Sequence, residues 1–65
     1  MTPDDLRAWQ ASQGYTYTTA AQALGMARSN YALMLAGRTD IDQRTALACA
    51  ALAAGLQPWG AIKPP

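Results

Sequence analysis

Glycine punctuation bounds what this chain can become. Gly14, Gly25, Gly37 and Gly55 close in turn the stretches "TPDDLRAWQASQG", "TYTTAAQALG", "MARSNYALMLAG" and "DQRTALACAALAAG". Within each stretch the apolar residues recur at helical spacing, and none shows the strict alternation of a half-buried strand. Glycine just past the last periodic residue is a helix stop. Segments this short hold two or three helical turns apiece. The expectation is an all-α chain of four to five short helices.

The start signals agree with the stops. Thr2 suits an N-cap, Pro3 the first helical position, and Asp4 and Asp5 complement the helix dipole. Leu6, Trp9, Gln10 and Gln13 fall on one side of this first helix, with Leu6 and Trp9 as apolar anchors and Tyr15 a further core residue. Thr16 caps a second helix over Tyr17–Leu24, whose Ala20, Ala21 and Leu24 share a face. A third helix follows after only Met26 and Ala27. Projected at about 100° per residue, its Ala27, Tyr31, Met34 and Leu35 point inward. Ser29, Ala32, Leu33 and Ala36 face the opposite way, with Arg28 and Asn30 on the flanks. "RTDID" reads as a loop in which Asp42 caps a fourth helix, from about Gln43 to Ala54, and Ile41 acts as a staple toward Ala46. The tail "LQPWGAIKPP" holds three prolines and a glycine and is not expected to be helical for long. Residues 1–55 form one domain, and residues 56–65 a Pro-rich tail that could supply dimer contacts.

At 65 residues the chain is near the lower limit for folding alone. A domain of this size buries only about 60% of its unfolded surface, so self-association would help it. It has no Phe, His or Glu and one cysteine, Cys49. A lone cysteine excludes an internal disulfide framework and a zinc site of clustered Cys and His, and fits a reducing cytoplasm. "MTPDDLRAW" lacks the basic and apolar regions of a signal peptide. The longest apolar run, Ala46 to Leu56, is too short to span a bilayer. No membrane association and a cytoplasmic location are expected. Catalysis finds little to work with. The four side-chain carboxylates sit at helix starts, Ser12 and Ser29 have no evident base, and "GMARSNY" lacks the lysine of a phosphate-binding loop. No enzyme activity, metal or cofactor is expected.

Charge is more informative in its placement than in its sum. The net charge is only +1, yet between Leu6 and Thr39 stand Arg7, Arg28 and Arg38 with no acid among them. Local sign steers a polyanion more than the total does. The break at Gly25 belongs to the same stretch. Two short helices joined by a three- or four-residue turn containing glycine make a helix-turn-helix unit, in which the second helix offers its N-terminal turn to a major groove. Gly25 lets the chain turn at positive φ, and Ala21 keeps a small residue where the helices cross.

In these features the chain resembles the phage-repressor or Cro-type helix-turn-helix family, lambda-repressor-like in fold, over roughly Leu6 to Leu52. The shared pattern in "GYTYTTAAQALGMARSNYALMLAGR" is a capped second helix, Ala21, Gly25, apolar residues at Leu24, Met26, Tyr31 and Met34, and the closing Gly37-Arg38. Four positions depart from it. Ala27 stands where Ser or Thr usually caps the recognition helix. Tyr31 is larger than the usual Val or Ile, with small Ala20 and Ala21 to make room. The buried arginine–carboxylate pair that joins helices 1 and 3 in some phage repressors is replaced by Gln10 and Leu35.

The resemblance implies base contacts from Arg28, Ser29, Ala32 and Leu33. Arginine can hold guanine O6 and N7 in a bidentate contact worth about 1–3 kcal/mol of discrimination, and leucine can meet a thymine methyl group. The plain alternatives are a solvated Arg28, and a Leu33 that packs in the protein or against a partner chain. Candidates for phosphate contact are Asn30, Arg38 and Arg44 and the hydroxyls of Thr16, Tyr17 and Thr18, although for each hydroxyl a cap or surface role is the simpler one. Dimer contacts are expected from the small-residue side of helix 4, Ala46, Cys49, Ala50 and Ala53, and from Trp59 and Ile62 in the tail. The implied function is a homodimeric transcriptional repressor that binds double-stranded DNA at a palindromic operator, suited to a phage or mobile element. The compact autoregulators found beside anti-CRISPR genes are one such group. The rival is a small phage protein-interaction module, an inhibitor or antirepressor, which the outward Ala32, Leu33 and Ala36 would suit.

Overall fold

A computed structural model describes residues 1–60; Ile62 and the other residues after Gly60 lie outside the described residues. Among the described residues the chain is all-helical and has no strand. The four helices are α1 (Pro3–Gln13), α2 (Tyr17–Leu24), α3 (Arg28–Leu35) and α4 (Gln43–Ala53). Among the described residues no helix is long and apolar enough to cross a membrane.

Three of the four starts follow from a local side-chain hydrogen bond. Thr2 Oγ1 accepts from the Asp5 N–H while the Asp5 carboxylate accepts from the Thr2 N–H, a reciprocal box that satisfies two otherwise orphaned donors. Thr16 and Thr19 form the same box at α2. The Asp42 carboxylate accepts from the Thr45 N–H at 2.8 Å and starts α4. Only α3 begins without a side-chain cap, because Ala27 has no acceptor to offer.

The stops share one geometry. After α2, Gly25 lies at φ 71° and the Met26 N–H reaches back to the Ala21 carbonyl, so the chain reverses within three residues. That closure also turns the half-buried Met26 onto the core. After α3 the turn falls one residue later than after α2. Ala36 ends the helix, Gly37 takes the left-handed conformation, and the Arg38 N–H donates to the Leu33 carbonyl.

The core forms around α3. Tyr31, Met34 and Leu35 pack with Leu6 and Trp9 of α1, Ala20 and Ala21 of α2, and Cys49 of α4. Tyr15, Leu24, Met26, Ile41 and Leu52 close its edges. Tyr31 is fully buried, and its hydroxyl donates to Gln10 Oε1 at 2.8 Å. Arg7 reaches from α1 to donate to the Leu35 carbonyl at 3.0 Å, serving a backbone acceptor at the end of α3. Two neutral-acceptor hydrogen bonds thus tie α1 to α3 where an arginine–carboxylate pair is absent.

The α4 residues expected to meet a second chain differ in burial. Cys49 is buried in the chain's own core and Ala46 is half-buried, whereas Ala50 and Ala53 are exposed. Cys49 therefore faces inward, and the outward side of α4 carries Leu47, at 61% exposure, beside Ala50 and Ala54.

Candidate nucleic-acid interface

The exposed edge of α3 is built by elimination. Three of its eight residues, Tyr31, Met34 and Leu35, are committed to the core, and the helical period leaves Arg28, Ser29, Asn30 and Leu33 exposed. Ala32 is half-buried between the two faces. The N-terminal turn of α3 is uncapped by any side chain, so its first backbone N–H groups are donors without a protein partner there. Such an end favours an anion.

Arg28 is not a free surface arginine. Its guanidinium carbon sits 5.7 Å from the centroid of the Tyr17 ring, within the range of a cation–π contact. Tyr17 opens α2 as Arg28 opens α3, so the stack joins the N-terminal ends of the two helices. Behind it the Tyr17 and Tyr31 rings meet edge-on, with centroids 6.0 Å apart and planes at 77°. Sequence reasoning placed Tyr17 only as a possible hydroxyl donor. The ring contact joins positions that become neighbours only through the turn at Gly25, and no spacing rule signals it.

No protein-family model matches the chain, and no similar curated protein or solved structure was found.

The remaining expected contacts divide by environment. Thr16, Tyr17, Thr18, Arg38 and Arg44 are all exposed. The Thr16 hydroxyl oxygen is already engaged as the α2 cap, which is its plain structural use. Arg44 lies 3.3 Å from the Asp42 carboxylate, whose opposite charge offsets part of its positive field at the start of α4. The Thr45 backbone N–H, then the Thr45 hydroxyl and Arg44, hold the Asp42 carboxyl below its ordinary value. Asn30, Asp42 and Arg44 line one side of a cleft of about 380 Å³ that opens beside Gly25 and Met26, between the α2–α3 turn and α4.

A different surface is apolar. Ala23, Ala48, Ala51, Leu52, Leu56 and Pro58 line a shallow groove of about 170 Å³ between α2 and α4. Leu56 is 60% exposed, and Trp59 makes no burying contact with the described residues. The chain thus separates a polar, arginine-bearing end at α2 and α3 from an apolar side at α4 and the residues after it.

Proposed function

We propose that this chain is a sequence-specific DNA-binding protein of the helix-turn-helix type, a homodimeric repressor that occludes its own promoter at an inverted-repeat operator. The observation that carries the reading is the exposed edge of α3. An uncapped helix N-terminus, a stacked Arg28, a small Ser29 and an apolar Leu33 face outward together, with no acid on that helix. A helix end of this composition suits a major groove, where arginine reads guanine and leucine meets thymine methyl groups. In this reading the exposed Arg38 and Arg44, at the exit of α3 and the start of α4, meet backbone phosphates, and Ser29 and the half-buried Ala32 approach base edges. The resemblance to phage regulators supports a role in a phage or mobile element. The chemistry asked of the molecule is binding, without catalysis or cofactor.

The test is a mobility shift on the region upstream of the gene. A retarded complex competed by the same duplex and not by a scrambled one is the expected result. A second reading has its own observation. Leu33 at 40% exposure, with the exposed Leu47, Leu56 and Trp59, leaves large apolar side chains open to solvent. A protein-interaction module that blocks another regulator would use such area. Failure to retard any upstream duplex would put that reading in front.

A further inference from the structure

We infer that Tyr17 is a positioning residue for sequence readout: its ring, rather than its hydroxyl, holds Arg28 in the direction from which a base is read. The inference rests on the DNA-binding reading above and adds a specificity determinant to it. Three contacts in series support it. Gln10 of α1 accepts the Tyr31 hydroxyl at 2.8 Å, which fixes a fully buried ring. That ring meets Tyr17 nearly perpendicularly at 6.0 Å. Tyr17 in turn presents its ring to the Arg28 guanidinium at 5.7 Å. The first residue of α3 is therefore referenced to the core through aromatic contacts.

An arginine at a helix N-terminus has several outlets. Its long side chain can follow the duplex backbone or turn into the groove, and only the second outlet identifies a base. A bidentate contact to guanine also demands that the planar guanidinium arrive in one orientation. Stacking on Tyr17 removes many of the unproductive rotamers before DNA arrives, and so lowers the ordering cost of binding. A phenylalanine ring would do this as well as a tyrosine ring. A leucine, which fills the space and keeps the contact with Tyr31 apolar, would not.

The two roles open to Tyr17 predict opposite outcomes. Wild type, Tyr17→Phe and Tyr17→Leu are compared on a duplex that the wild-type chain selects from a random pool, on its single-base variants, and on a scrambled duplex. Tyr17→Phe is expected to keep the operator-to-scrambled affinity ratio. Tyr17→Leu should lower that ratio about 2- to 5-fold per half-site, with the loss confined to the base pair assigned to Arg28, the range that an exposed cation–π contact supports. Thermal unfolding confirms that each variant is folded. Proton spectra of the free protein read the stack without DNA. The Arg28 side-chain protons should be displaced by the ring current in wild type and Tyr17→Phe and return to ordinary positions in Tyr17→Leu. An equal drop in affinity for both duplexes with Tyr17→Phe would assign the hydroxyl to a phosphate and overturn the inference. An unchanged base preference in Tyr17→Leu would overturn it too. A wild-type chain that does not distinguish operator from scrambled duplex would overturn the DNA reading itself, an outcome visible before any variant is made.

Discussion

A tyrosine buried to the last atom needs a partner for its hydroxyl, and Gln10 meets that need for Tyr31. Burial, with smaller contributions from Cys49 and Tyr17, pushes the Tyr31 phenol up to about 12 from its ordinary value of 10.0. The folded chain thus holds this proton more tightly than the unfolded chain does. The corresponding stability is fully present below about pH 10 and is lost as the pH rises toward 12. Tyr31→Phe should cost about 0.5–1.5 kcal/mol at pH 7, the net worth of one hydrogen bond whose other partner can rehydrate. Urea unfolding at a series of pH values should show the gap between wild type and variant narrowing above pH 10 and reversing as the pH approaches 12, and a constant gap would refute the burial argument. The two exposed arginines call for a different comparison. Arg28→Ala should weaken binding to the operator and relax preference at one base pair per half-site. Arg44→Ala should weaken binding to every sequence about equally, because phosphate carries no base identity. Selection from a random pool separates these, and an unchanged preference in Arg28→Ala would remove Arg28 from the readout.

Helices α1 and α2 were legible because each is bracketed by a capping threonine and a glycine with strong local physics, and α3, which has no side-chain cap, from its apolar period between Gly25 and Gly37. Pro3–Gln13 and Tyr17–Leu24 lie where the flanking Thr2, Thr16, Gly14 and Gly25 put them. Helix α4 was legible in extent but not in orientation. Alanine lies on all its sides, so the pattern could not show that Cys49 and Thr45 turn inward while Leu47 turns out. The tie from Arg7 to the Leu35 carbonyl was hidden for another reason. A long side chain reaching a backbone acceptor 28 residues away depends on how two helices pack, and neither helix announces it. The exposed edge of α3 followed from its period, but the ring that supports Arg28 did not. Two substitutions test the connection between α2 and α3. Gly25 is at φ 71° with no atom within 4 Å of where a Cβ would stand, so Gly25→Ala meets backbone strain alone. It should destabilise by about 1–2 kcal/mol. Ala27 has the extended conformation of a cap, φ −68° and ψ 145°, without the oxygen. Ala27→Ser should therefore stabilise by about 1 kcal/mol. Chemical denaturation measures both, and opposite signs are required for the turn to work as described.

At the scale of the whole molecule, the apolar side and the arginine-bearing end have to work together. On the proposed DNA-binding reading one α3 would touch too few base pairs for specificity, and Leu47, Leu56 and Trp59 are left uncovered at 61%, 60% and 104% exposure. A two-fold dimer through this side would set its half-sites about one helical turn apart, on the order of 10–10.5 base pairs. Light scattering at micromolar concentration should give twice the mass of one chain. Trp59→Ala should weaken association by about 30-fold, the effect of removing an interface anchor worth about 2 kcal/mol. A wild-type monomer, both free and on DNA, would remove the dimer. The low net charge then decides how such a dimer binds. Each chain carries only +1, and Asp42 lies against one of the arginines assigned to phosphate. Two copies of Arg38 and Arg44 would neutralise about four phosphates, so log K should fall with log[salt] at a slope of roughly −3.6. Random DNA should be bound poorly, with discrimination supplied by the base contacts. Asp42→Asn isolates the electrostatic part, because asparagine caps a helix about as well as aspartate while the charge beside Arg44 disappears. Fluorescence anisotropy over a salt series should show this variant binding operator and scrambled duplex more tightly by a similar factor, with the ratio between them preserved. A gain confined to the operator would mean that Asp42 shapes base readout, and no gain on either duplex would take Arg44 off the phosphate backbone.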